Sequence, residues 1–201
     1  MGHLRNRRGE GVRLRADVLA AATGLLDQGG ERAVTLRAVA REAGIAAPSI
    51  YPHFPCQQAI LRAVVHAAFA ELTDHLEAAV IAAGEDTAQR LYAACHAYLD
   101  FAAAHPQRYR TMFSLAGQRD LDVPILQLFA DVLTDCAAAG RSASTDPATD
   151  AVALWLGLHG LAHQRSVIHT FFWSAEIVPR LVTALALVNQ LPARPSPQPL
   201  P

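Results

Sequence analysis

Between Thr35 and Leu61 the chain reads TLRAVAREAGIAAPSIYPHFPCQQAIL, and few folds accept residues in that order. Leu36, Val39 and Ala40 fall on one face by the i, i+3, i+4 rule, so the stretch opens as an amphipathic helix. Thr35 stands before them as an N-cap whose hydroxyl oxygen accepts from an unpaired backbone N–H. Gly44 follows Ala43 where a helix closes through a left-handed residue, a conformation glycine takes at little steric cost. Ile45 then plugs the corner. Pro48 suits the first turn of a second helix, where its missing N–H costs nothing. Ile50 and Phe54 turn inward, which leaves Ala47, Pro48, Ser49, Tyr51 and His53 outside. Pro55 stops that element, and a long helix begins near Gln57. A helix-turn-helix with a connecting helix of this kind places the start of its second helix in a DNA major groove.

The small residues Ala46, Ala47 and Pro48 allow the backbone to approach base edges closely. Ala47 or Pro48 touches a thymine methyl, and Ser49 reaches a base edge or a phosphate. Tyr51 and His53 suit phosphates, which fix register without specifying sequence. The alternative for these two is an ordinary amphipathic surface. Thr35, Arg37 and Gln57 complete the candidate DNA contacts. Net charge is −1 over 201 residues, yet residues 1–62 hold nine arginines against five acids, or +4, and the remainder is −5. Positive potential therefore gathers where phosphate would bind. Arg5, Arg7, Arg8, Arg13 and Arg15 form a basic arm that follows phosphates or enters a minor groove, or else a solvated tail.

The segment resembles the DNA-binding domain of TetR-family transcriptional regulators. Thr35, the Val39-Ala40 pair, Ala43-Gly44-Ile45, and Ile50-Tyr51-x-His53-Phe54 leading to Ala59-Ile60-Leu61 carry the resemblance, and the helix Val18 to Gln28 fits the family's first helix. The resemblance implies an all-helical homodimer that binds an operator and is released by a ligand in the C-terminal domain. Three positions depart from the family pattern. Gln57 stands where a phosphate-contacting lysine is usual, Cys56 where a serine cap is usual, and Ala46 where a serine opens the recognition helix. A helix N-terminus near Gln57 attracts phosphate even without a cation.

Periodicity, the absence of strand signals and a 52% hydrophobic composition predict an all-α chain of about nine helices. The reading is a basic arm at 1–13, a three-helix helix-turn-helix domain at 14–56, a helical ligand-binding and dimerisation domain at 57–191, and a proline-rich tail at 192–201. Helices are expected at about 57–83, 87–104, 106–113, 123–139, 147–169 and 175–191. The eighth, AVALWLGLHGLAHQRSVI, is apolar nearly all round and so needs cover on more than one side. A partner subunit supplies it economically, with Leu158, Ala162, Arg165, Ile177, Leu181, Leu185 and Val188 as interface candidates. Trp155-x-x-x-His159-Gly160 and HPQRYRTMF resemble a TetR subgroup, the WHG type.

A helical sensor domain holds a mostly apolar pocket with a few polar groups. Tyr92, His96, Tyr98, Met112, Phe113, Phe129, Trp155, His159 and Phe172 are the candidates, with ordinary core packing as the alternative for each. His159 and His163 lie one turn apart, but no HExxH accompanies them, so no metal is expected. Neither a GxSxG nor a Cys-His signature is present, and the expectation is no enzyme and no cofactor. No secretory h-region and no span of about 18 apolar residues occurs, so a cytoplasmic protein is expected. The function expected is a one-component bacterial regulator, a repressor of a pseudo-palindromic operator, released by a small apolar or amphipathic effector. The competing reading is an effector-binding or thiol redox-sensing protein with weak or lost DNA binding, motivated by Gln57, Ala46 and Cys56 at a helix N-terminus.

Overall fold

The computed structural model describes residues 10–114, 121–168 and 173–188. Among them stand eight α-helices: α1 (Glu10–Gly29), α2 (Leu36–Glu42), α3 (Gln57–Ala82), α4 (Thr87–Ala104), α5 (Pro106–Ser114), α6 (Val123–Ala138), α7 (Pro147–Val167) and α8 (Ile177–Leu185). Two 3₁₀ turns, Glu31–Ala33 and Ala47–Ile50, and one isolated antiparallel bridge between Ser142 and Val188 complete the secondary structure.

The chain forms two compact units. One comprises Met1–Leu72 and Phe101–Asp122, the other Thr73–Asp100 and Val123–Pro201. By its contacts α5 groups with the helix-turn-helix in the first unit. The first unit packs Val18, Ala22 and Leu26 of α1 against Val39 and Ala40 of α2, Ile50, Phe54, and Ile60, Leu61 and Val64 of α3. Burying such side chains supplies most of the driving force, at about 25 cal/mol per Å² of apolar surface. The same stripe begins earlier than Val18. Leu14 packs on the core and Arg15 lies over the Phe54 ring at 4.6 Å, so α1 starts at Glu10 and the last four residues of the expected arm are helical.

The second unit is built on α6 and α7. Leu91, Ala94, Cys95 and Tyr98 of α4, Phe129, Leu133 and Cys136 of α6, and Leu154 and Leu158 of α7 are all buried. Asp146 caps α7, its Oδ1 accepting from Thr149 N at 3.2 Å, and Pro147 occupies the first turn. Close approach of α8 to α7 depends on Gly157, since a Cβ there would stand 3.1 and 3.2 Å from methyls of Leu181 and Leu185. α8 is shorter than expected. After Leu185 its carbonyl ladder is taken over by another strand of chain: Ser142 Oγ donates to Ala186 O at 2.7 Å and Ala143 N to Leu187 O at 3.0 Å. Leu187 adopts φ +51, so the helix cannot continue.

Candidate functional site

The turn of the helix-turn-helix is closed by backbone geometry that glycine permits. Thr35 Oγ1 accepts from Ala38 N at 3.2 Å and starts α2. At its other end Gly44 N donates to Arg41 O at 3.2 Å and Ile45 N to Ala40 O at 2.9 Å, with Gly44 at φ +67. These are the paired bonds of a Schellman closure. The next element is a 3₁₀ turn rather than the expected α-helix. Pro48 and Pro52 explain the difference, because Pro52 has no N–H to donate to the carbonyl four residues back. Ser49 N instead donates to Ala46 O at 2.9 Å, and both His53 N and Phe54 N reach Ile50 O at 2.9 Å. Ile50 and Phe54 are buried and anchor this short element.

Pro48, Ser49 and Tyr51 are exposed on it, Tyr51 at 55%, while Ala47 and His53 are half-buried. His53 lies beside Gly11 of α1. Thr35 and Arg37 are exposed on α2. Gln57 is committed inside the unit, its Nε2 donating to the Glu31 carbonyl at 3.4 Å. Cys56 is exposed; Cys95 and Cys136 are buried in the other unit. Burial pushes both buried thiols above their ordinary value, and Cys136 Sγ donates to Thr87 O at 3.1 Å.

A group with no local sequence signal stands behind this surface. Arg108 of α5 is buried, with Nε donating to Asp27 Oδ1 at 3.0 Å, Nη2 to Asp27 Oδ2, and Nη1 to Glu71 Oε2 at 2.6 Å. Burial pulls the guanidinium down, but its bond with Asp27 and the charges of Asp27 and Glu71 outweigh that and leave it raised. Its neighbour Arg110 is exposed. In HPQRYRTMF only the side-chain spacing hints at this. Arg108 shares the inward face with Thr111 and Met112, three and four residues on.

The expected pocket residues separate into two clusters. Tyr98, Phe129, Trp155 and His159 meet in the second unit. Tyr98 Oη and His159 Nδ1 are 3.2 Å apart, the Tyr98 and Phe129 rings lie 6.4 Å apart, and Trp155 stacks on His159 at 5.4 Å. Burial, then the neighbouring His163, holds His159 below its ordinary value. Tyr92 is half-buried and His96 exposed. Met112 and Phe113 belong to the first unit, where Phe113 packs edge-on against Phe69 at 5.4 Å and near Tyr109 at 5.0 Å. Phe172 lies outside the described residues. A further concavity of the second unit lies elsewhere. A groove of about 440 Å³ runs along Thr73, Glu77, Val80 and Ile81 of α3, Arg90 of α4, and Pro124, Leu128 and Asp131 of α6.

Of the interface candidates, Leu158, Ala162 and Val188 are buried within the subunit, and Leu181 and Leu185 close on Gly157. Arg165 and Ile177 are half-buried. The face of α7 left open carries Val152, Leu156, Gly160, His163 and Val167, spaced i, i+4, i+8, i+11 and i+15. Leu156 is 56% exposed and Val167 60%. No helix among the described residues is long and apolar enough to cross a membrane.

A capped helix, a glycine-closed turn and an exposed reading element, in a chain with a second helical unit, define a DNA-binding regulator of transcription. Two stretches of the chain are also recognisable in sequence. Residues 18–64 match the bacterial regulatory proteins of the tetR family, and residues 91–185 match the tetracyclin repressor-like C-terminal domain. The chain belongs to the TetR family of transcriptional regulators.

Solved structures agree on the fold. A protein of unknown function from Rhodococcus sp. RHA1 is 29% identical, with TM-score 0.70 over 86% of this chain and 91% of that one. SmeT, the repressor of the Stenotrophomonas maltophilia multidrug efflux pump SmeDEF, is 20% identical, with TM-score 0.67 over 93% and 97%. The fatty acid degradation regulator FadR from Bacillus halodurans is 14% identical, with TM-score 0.70 over 91% and 97%. No curated protein matches the chain in sequence.

Proposed function

We propose that the protein is a transcriptional repressor that binds a pseudo-palindromic operator as a homodimer and leaves it when a small apolar or amphipathic molecule binds its second unit. One observation carries this reading. The closure at Gly44 presents Pro48, Ser49 and Tyr51 together on a short exposed turn, held from behind by Ile50 and Phe54. Base contact falls to Ala47, Pro48 and Ser49, and phosphate contact to Thr35, Arg37, Tyr51 and His53. Gln57 serves through the N-terminus of α3, since its amide is occupied by Glu31.

The open stripe of α7 supports a second copy as the occupant of that face. Apolar residues at helical spacing around the small Gly160 suit a self-complementary helix pair about a two-fold axis. The Tyr98–His159–Trp155 cluster and the groove beside Glu77 are the candidate effector positions. Effector binding lowers operator affinity only as far as it favours the non-binding conformation.

The test is a gel-shift titration of the purified protein on DNA upstream of its own gene and on scrambled DNA, at two salt concentrations. Specific, salt-sensitive binding supports the reading. Equal binding to both, repeated with duplexes selected from a random pool, overturns it. Tyr51→Phe is expected to weaken binding evenly across sequences.

A further inference from the structure

The groove along α3, α4 and α6 joins an apolar surface to negative charge. Every residue that lines it lies in the second unit. It shares none of them with the cluster of Tyr98, Phe129, Trp155 and His159. Val80 and Val132 supply its buried side, and Ile81, 79% exposed, its open side. Three charged side chains border this surface: Glu77 of α3, Arg90 of α4 and Asp131 of α6. Arg90 Nη1 donates to Asp135 Oδ2 at 3.1 Å, so its charge is already answered. Asp131 Oδ1 accepts from a neutral amide, Gln127 Nε2, at 2.8 Å. Among the described residues no ion pair involves Glu77 or Asp131. The groove therefore sets two unanswered carboxylates beside about 440 Å³ of largely apolar space.

We propose that this groove is the seat of the effector and that it takes a lipophilic cation, a single positive centre carried on an apolar ring system. The space suits a drug-sized molecule, for which pockets of about 300–1,000 Å³ are usual. Apolar contact with Val80, Ile81, Leu128 and Val132 supplies affinity by removing surface from water. The carboxylates supply the choice of charge. A neutral molecule would cover the same surface yet strip water from Glu77 and Asp131 without pairing them. An anion would add repulsion. A compact ammonium holds its own water too firmly to profit from the apolar side, whereas a diffuse cation gives up little. Both carboxylates are exposed, so their pull is screened by salt and serves selection more than strength.

The inference rests on the reading of an effector-released repressor, and the experiment separates the two. Tetraphenylphosphonium and tetraphenylborate have nearly the same shape and opposite charge. Each is titrated calorimetrically into the full-length protein without DNA, at two salt concentrations. The same is done with the double variant Glu77→Gln, Asp131→Asn and with Leu128→Arg. The two carboxylates are exposed, so the double variant is expected to melt with wild type. Wild type should bind the cation about tenfold or more tightly than the anion, with the margin narrowing as salt rises. The double variant should lose about tenfold in affinity for the cation and most of the discrimination, and Leu128→Arg should reverse the preference. Equal binding of the two ions by wild type overturns the inference. So does failure to bind tetraphenylphosphonium, or a double variant that discriminates as wild type does. On an operator that the protein binds, tetraphenylphosphonium should weaken the complex; an unchanged gel shift overturns the effector role. Cation selectivity without any operator would instead sink the repressor reading and leave the cation seat standing.

Discussion

Arg108 Nε donates to Asp27 Oδ1 at 3.0 Å across 81 residues of chain. The arginine side chain is 7% exposed, whereas Asp27 is 30% and Glu71 53% exposed, so one charge is desolvated and its partners remain half in water. Arg108→Met should destabilise the protein by about 2 kcal/mol, below the roughly 3–5 kcal/mol of a fully buried pair, because the carboxylates stay hydrated. Urea unfolding at neutral pH measures this. A loss under about 0.5 kcal/mol would place the triad among surface pairs.

The turn at Gly44 makes a paired prediction. Gly44→Ala forces a side chain to φ +67 and should cost about 1–2 kcal/mol. Gly24→Ala, inside α1 with nothing within 4 Å of the new Cβ, should gain up to about 1 kcal/mol in helix propensity. Thermal melts of the two variants should therefore move in opposite directions. Movement in the same direction would mean that the Gly44 turn relaxes without its left-handed residue.

Local features were the legible ones. The Thr35 cap, the Ala43-Gly44-Ile45 closure and the apolar stripe of α3 each depend on residues within a turn or two, and the chain states them openly. The reading element was less legible because two prolines, each harmless at a helix start, together remove the bonds an α-helix needs there. Arg108 was illegible for another reason: its partners lie 81 and 37 residues away, and a basic residue reads as surface unless they are known. The face of α7 failed in a third way. Periodicity marks Leu158 and Leu156 alike as apolar; only packing within the subunit decides that Leu158 is buried while Leu156 is exposed.

That distinction is testable. Leu156→Glu is expected to leave the fold intact, since the side chain is 56% exposed, and to shift the protein to monomer in sedimentation velocity. A charge buried at a dimer seam without a partner costs several kcal/mol, enough to dissociate a micromolar dimer. An unchanged sedimentation coefficient would remove α7 from the interface.

His159 gives the pH dependence. Burial first and His163 second depress its pKa below 6.5, so the folded state resists the proton that the unfolded chain accepts. Its contribution is complete above pH 6.5 and is lost as pH falls from there toward the folded-state value. His159→Gln should melt less steeply with acid between pH 7 and pH 5 than wild type. Parallel curves would show that Tyr98 and Trp155 leave the imidazole freely protonated.

The distribution of sulfur has a practical side. Cys95 and Cys136 are shut inside the second unit with their thiols pushed up, while Cys56 stands exposed just before α3. A thiol-selective dye added to the native chain would thus attach once, at the edge of the surface proposed for DNA. The unaltered protein carries its own attachment point for testing the proposed docking on DNA by fluorescence.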